Sequence, residues 1–152
     1  MYKKIAYNVS TLFGIGFISF MPGTLGSIVG LFSGILISKL TSQFIFIIQF
    51  TSILIISTIL LNKYQKDTNK EDSSDIVIDE YIGQQIPFMF FDVTLVNIIL
   101  FFVSFRFFDI IKIFPANLID KKYKNCIGVI LDDIIAGFQS VILVFVINTY
   151  LL

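Results

Sequence analysis

From Gln43 to Leu61 the sequence runs without a single charged side chain. That is close to the roughly 20 residues an α-helix needs to cross the hydrocarbon core of a bilayer. Further apolar stretches stand at 25–40, 93–114 and 127–152. They are too long and too frequent for a soluble core of this size, so the chain reads as an all-α membrane protein. Hydrophobic residues make up 56% of it and the mean hydropathy is +0.89, which agrees. At 152 residues the length is about that of one domain, and residues 1–152 are expected to form one.

Composition then removes whole mechanisms. Histidine is absent, which excludes Ser-His-Asp triads, histidine phosphatases and most catalytic zinc sites. The lone cysteine, Cys126, has no arginine where a cysteine-based phosphatase needs one and cannot form an internal disulfide. It reads as a small half-buried residue. A formal net charge of zero leaves no basic surface for nucleic acid. Lys3 and Lys4 precede an apolar segment broken by Pro22-Gly23, with no small-residue cleavage site, so the N-terminal region is expected to be mature structure rather than a secretory signal.

Along the chain, residues 5–20 are apolar but broken by Gly14 and Gly16, and predict a short re-entrant or interfacial helix. MPGTLGS (21–27) is a turn with Thr24 as N-cap of a helix over Leu25–Leu40, where Gly26, Gly30 and Gly34 recur four apart. Small residues at that spacing admit a second helix at close range. The span 43–61 follows, and then Asn62–Asp75, a solvated loop whose acidic tail (Glu71, Asp72, Asp75) reads as plain surface. Ile76–Phe91 predicts about four helical turns interrupted near Pro87. Val93–Phe114 is an apolar helix, 115–125 a polar lysine-rich loop, and Ile127–Leu152 the last helix. The expectation is an integral membrane bundle of about five long helices plus the short N-terminal one, without internal repeats.

Threading five helices through a bilayer gathers the charges at one face. Asp79 and Glu80 open a descending helix, Arg106, Asp109 and Lys112 close an ascending one, and Asp132 and Asp133 lie in the first two turns of the last. The Pro-Gly-Thr turn arrives at the same face. Only Lys39 and Asp92 remain at the opposite end. Lysine-rich short loops stay inside, so the charged face should be cytoplasmic.

Carboxylates at membrane depth cost roughly 2.5 to 3.5 kcal/mol each on insertion scales, so Asp132 beside Asp133 needs a reason. A helix dipole accounts for one of them. The second, about 100° around the helix, calls for cations, water or a task. Three acidic groups meeting without histidine or thiolate favour a hard ion, Mg²⁺ first, then Mn²⁺ or Ca²⁺. Arg106, Asp109 and Lys112, spaced i, i+3, i+6, share one helix face and suit a phosphoryl group, or form a plain salt-bridge ladder. Backbone N–H groups of the turn, around Gly23, Thr24, Gly26 and Ser27, are candidates for phosphate binding, although packing explains Gly26 as readily.

Four stretches in this order, MPGTLGS (21–27), DIVIDEYIGQQI (75–86), FRFFDIIKIFP (105–115) and GVILDDIIAG (128–137), resemble the phosphatidylglycerophosphatase A family. The resemblance implies an all-helical fold, Mg²⁺ dependence and removal of the terminal phosphate from phosphatidylglycerophosphate, in anionic phospholipid and cardiolipin synthesis at the bacterial inner membrane. The family's acidic positions fall on Asp79, Glu80, Asp109, Asp132 and Asp133, and its basic ones on Arg106 and Lys112. Ile113 stands where the family usually has proline, and Asn125, Cys126 and Ile127 where it favours glycine. The expected assignment has Asp79, Asp132 and Asp133 holding Mg²⁺ and Glu80 or Asp109 activating water. Arg106 and Lys112 neutralise the phosphoryl charge, and a covalent aspartyl-phosphate stays open. The rival is a small ion or proton transporter with a carboxylate-lined path. Against it, transport sites sit near the midplane between repeats, and here the charges cluster at one end.

Overall fold

The computed structural model describes residues 2–71 and 73–151, all α-helical with no strand among them. Asp72, counted above in a solvated acidic tail, and Leu152, the expected end of the last helix, lie outside the described residues. The helices are α1 (Tyr2–Ser10), α2 (Pro22–Leu40), α3 (Gln43–Thr68), α4 (Ile78–Gln85), α5 (Leu95–Ile111), α6 (Ala116–Lys122) and α7 (Cys126–Tyr150), with 3₁₀ turns at Ile15–Phe17 and Ile86–Met89. α2, α3 and α7 are long and apolar enough to cross a membrane. Large apolar side chains such as Phe32, Ile55, Val103 and Ile142 are more than half exposed, the inversion a lipid solvent favours.

Several helix boundaries differ from expectation, each for a local reason. α2 starts at Pro22 rather than Leu25, because proline at the first helical position loses no hydrogen bond. Thr24 is therefore inside the first turn and not an N-cap. α3 runs two turns past Leu61, which turns much of the expected solvated loop into helix and buries Tyr64. The expected four-turn helix at 76–91 is an eight-residue α-helix followed by a 3₁₀ turn, since Pro87 cannot continue the ladder. α5 is 17 residues, bounded by Thr94, whose side chain accepts from Asn97 N, and by Lys112 in the left-handed region. The loop 115–125 holds α6.

The glycine stripe of α2 packs on α4. A Cβ on Gly26 would lie 2.8 Å from the Val77 carbonyl oxygen, one on Gly30 2.7 Å from that of Tyr81, and one on Gly34 2.6 Å from the Phe88 ring. α4 meets α7 equally closely, through Gly83 against the Asp133 carbonyl and Gly137 against the Gly83 carbonyl. α5 lies along α7, joined by a 2.6 Å hydrogen bond between Ser104 and Ser140. These contacts set the site: α4 is wedged between α2 and α7, and its N-terminus opens beside the start of α2, the end of α5 and the start of α7. At the far end Lys39 and Asp92 line one small cavity.

Candidate active site

Where those four helix ends meet, a cavity of 410 Å³ is lined by Gly23, Thr24, Asp79, Glu80, Arg106, Asp109, Lys112, Asp132 and Asp133 among others. Of the residues singled out in the sequence only Gly26 and Ser27 stay outside it. Gly26 serves the packing of α2 on α4. Ser27 is fully buried, donates to the Gly23 carbonyl at 2.9 Å and accepts from Arg106 Nη1 at 3.3 Å.

The carboxylates sort into two groups. Asp79, Glu80 and Asp133 bring one oxygen each within 4.8 Å of one another. Asp79 Oδ1, Glu80 Oε2 and Asp133 Oδ2 are buried and have no hydrogen-bond partner. Buried charged oxygens without partners are costly. One oxygen from each residue within 4.8 Å of the others fits a hard cation, whose opposed oxygen ligands stand about 4.2 Å apart for Mg²⁺, so small side-chain rotations close the gap. Asp132 belongs elsewhere: its Oδ2 accepts from Lys112 Nζ at 2.6 Å. The tight group thus contains Glu80, expected as a base, in the place given to Asp132. Asp132 and Asp133 are the seventh and eighth residues of α7, beyond the first turn where the helix dipole acts.

The cations are held by the same framework. Arg106, mostly buried, pairs with Asp109 one turn on, and its Nη2 donates to Thr24 Oγ1 at 3.2 Å. Its Nε is buried without a partner. A Cβ on Gly23 would overlap the Glu80 carboxylate and stand 3.6 Å from Arg106 Nη1. Glycine there leaves the Glu80 carboxylate where it stands. Lys112, at φ 49°, turns back from the end of α5 to bridge Asp132 and Asp120, the latter at 2.7 Å.

Asp120 on α6 was not foreseen, and neither were Ser73, Ser74 and Tyr123, which also line the cavity. The signal available was one carboxylate in a lysine-rich loop. Burial pushes the Asp120 pKa up, but hydrogen bonds and charge from Lys112 and Lys124 outweigh it and hold the group below the usual carboxylate range. Asp75, taken as surface, is 6% exposed. It accepts from Tyr64 Oη at 2.5 Å and Lys70 Nζ at 3.1 Å. Here too burial raises the pKa, and hydrogen bonds from Ser73, Tyr64 and Lys70 more than offset it.

Six carboxylates, Asp79, Glu80, Asp109, Asp120, Asp132 and Asp133, share the cavity wall with Arg106 and Lys112.

A helical fold with apolar spans and a carboxylate-rich, histidine-free site at one end defines the class of membrane-associated acidic-site hydrolases. Residues 8–148 match the family model for phosphatidylglycerophosphatase A, and the chain belongs to that family of phosphatases. It is 35% identical to phosphatidylglycerophosphatase A of Haemophilus influenzae over 92% of this chain and 86% of that one. Against phosphatidylglycerophosphatase A of Escherichia coli it is 31% identical, over 84% of this chain and 74% of that one. A Bacteroides thetaiotaomicron protein provisionally named phosphatidylinositol-3-phosphatase is 32% identical over 91% of this chain and 90% of that one. No solved structure matches the chain.

Proposed function

We propose that the protein hydrolyses the terminal phosphomonoester of phosphatidylglycerophosphate to phosphatidylglycerol and phosphate, as a Mg²⁺-dependent enzyme of the inner membrane that supplies anionic phospholipid and cardiolipin synthesis. Family membership supports the substrate. The observation that carries the chemistry is the set of three buried, unpartnered carboxylate oxygens of Asp79, Glu80 and Asp133. These three hold the metal. The chemistry a bound Mg²⁺ supplies is neutralisation of phosphoryl oxygens and polarisation of water.

The chain's own groups do the rest. Arg106, braced by Thr24 and Ser27, presents its guanidinium to the phosphoryl oxygens and stabilises the charge that builds on them. Asp109, fixed by the same guanidinium, orients the attacking water and takes its proton as the new P–O bond forms. The bond to the glycerol oxygen breaks, that oxygen takes a proton from water, and Asp109 returns the proton it accepted to solvent. Lys112 covers the charge at the opposite wall while holding Asp132 in place. Lysine-rich short loops at this end support a cytoplasmic position for the site.

Phosphate release from purified protein, with Mg²⁺ and with EDTA, tests this beside Asp133→Asn and Asp132→Asn. Release in Mg²⁺ that stops in EDTA is expected, with Asp133→Asn needing at least tenfold more Mg²⁺ and Asp132→Asn much less. Metal-independent release sinks the site. Phosphatidylinositol 3-phosphate, run in parallel, tests the reading favoured by the Bacteroides relative. No release from either lipid by folded protein returns the transporter.

A further inference from the structure

The catalytic cavity shares Pro22, Ser73 and Ser74 with a second hollow of 420 Å³. One wall is the 3₁₀ turn at Ile15–Phe17 with the residues that flank it, and the other carries Lys70 and Asp75. We propose that this hollow binds the phosphodiester of the lipid headgroup, with Lys70 as its cationic ligand. The proposal rests on the lipid monoester reading above and adds how the rest of the headgroup is recognised.

Phosphatidylglycerophosphate carries two phosphates on one glycerol, a terminal monoester and an internal diester leading to the acyl chains. With the monoester at the carboxylate trio, the diester falls in adjoining space. Among the described residues that line the main cavity, the two cations serve the monoester: Arg106 is paired with Asp109, and Lys112 bridges Asp120 and Asp132. Lys70 stands in the next hollow. Its ammonium is steadied at 3.1 Å by Asp75, which is buried and shares its charge with the Tyr64 hydroxyl. An ammonium has three donors. The Lys70 side chain is 52% exposed, so donors remain for a ligand.

The surroundings run in the order of the lipid. Phe17 and Ile18, which line the hollow, are nearly half exposed, an apolar rim for the acyl end. Lys70 follows, with the hydroxyls of Ser73 and Ser74 on the shared wall, and then the carboxylates. Apolar rim, cation and metal-binding trio thus match acyl chains, diester and monoester.

Two competitors of phosphatidylglycerophosphate hydrolysis separate the subsites. Short-chain phosphatidylglycerol has the diester and no monoester, whereas inorganic phosphate competes at the monoester position alone. Lys70→Gln is expected to raise the Ki of short-chain phosphatidylglycerol about tenfold, as for loss of one partly exposed charged hydrogen bond, and to leave that of inorganic phosphate within about twofold. Lys70→Arg should restore the first. An unchanged Ki for phosphatidylglycerol overturns the subsite. So does a rise of both constants together, which signals a misshapen loop, and so does wild-type protein that phosphatidylglycerol fails to inhibit. Wild-type protein that releases no phosphate sinks the activity reading, and the subsite with it.

Discussion

Arg106 Nη2 donates to Thr24 Oγ1 at 3.2 Å, joining the end of α5 to the first turn of α2 across 82 residues of chain. With Ser27 and Asp109 it leaves the guanidinium one orientation, Nε free. Arg106→Ala is expected to lower kcat/KM on the lipid by about 10² to 10³, the usual cost of losing a preorganised donor to transition-state charge. Thr24→Val should lose only a few-fold. Steady-state kinetics in detergent micelles checks both, and unchanged kinetics in Thr24→Val would deny the bracing role of Thr24.

Gly23 touches the site without offering a functional group. An added Cβ overlaps the Glu80 carboxylate, the far end of a flexible side chain, so the helix need not move but the carboxylate must. Gly23→Ala should raise the Mg²⁺ concentration for half-maximal activity about tenfold while Tm changes little. Titration of activity with Mg²⁺ beside a thermal melt reads both.

Gly30 differs, because its hypothetical Cβ meets the Tyr81 backbone oxygen at 2.7 Å and the Gln84 side chain at 3.1 Å. Backbone cannot rotate away. Gly30→Ala should part α2 from α4 and cost about 1–3 kcal/mol, in the range for overpacked cores. Denaturation in mixed micelles measures it, and a melt unchanged from wild type would contradict the close crossing.

Asp75 provides the pH test. Its folded pKa lies below the ordinary value, so its contribution is full above the unfolded pKa of about 3.9 and fades as pH falls through the folded value. The Tm gap between wild type and Asp75→Asn should be constant from neutral pH to about 5 and close below about 4. A gap that widens on acidification would mean the pair with Tyr64 and Lys70 does not hold the carboxylate ionised.

Much of the site was legible from single residues out of place. Asp132 and Asp133 interrupt an apolar run, and Arg106, Asp109 and Lys112 are spaced i, i+3, i+6 in another, although Lys112 caps α5 in the left-handed region instead of sharing its face. Both groups do line the cavity. The glycines of α2 signalled a close helix partner, which is α4. Asp75 was misread because a polar loop hides which of its residues turns inward. Tyr64 buries it only because α3 extends two turns beyond its apolar run. Asp120 escaped notice because its partners, Lys112 and Lys124, matter only once α6 folds against the end of α5.

Runs of apolar residues and the expense of charge among them are properties of the chain alone, and from them followed the helical class, the apolar spans and the pool of residues that meet. The division of labour within that pool came from tertiary structure. Two adjacent aspartates on α7 point about 100° apart, and no spacing within one helix says which of them faces α4. The close approach of Gly137 and the Asp133 carbonyl to Gly83 sets the rotation of α7. That rotation turns Asp133 toward Asp79 and Glu80, and leaves Asp132 to Lys112.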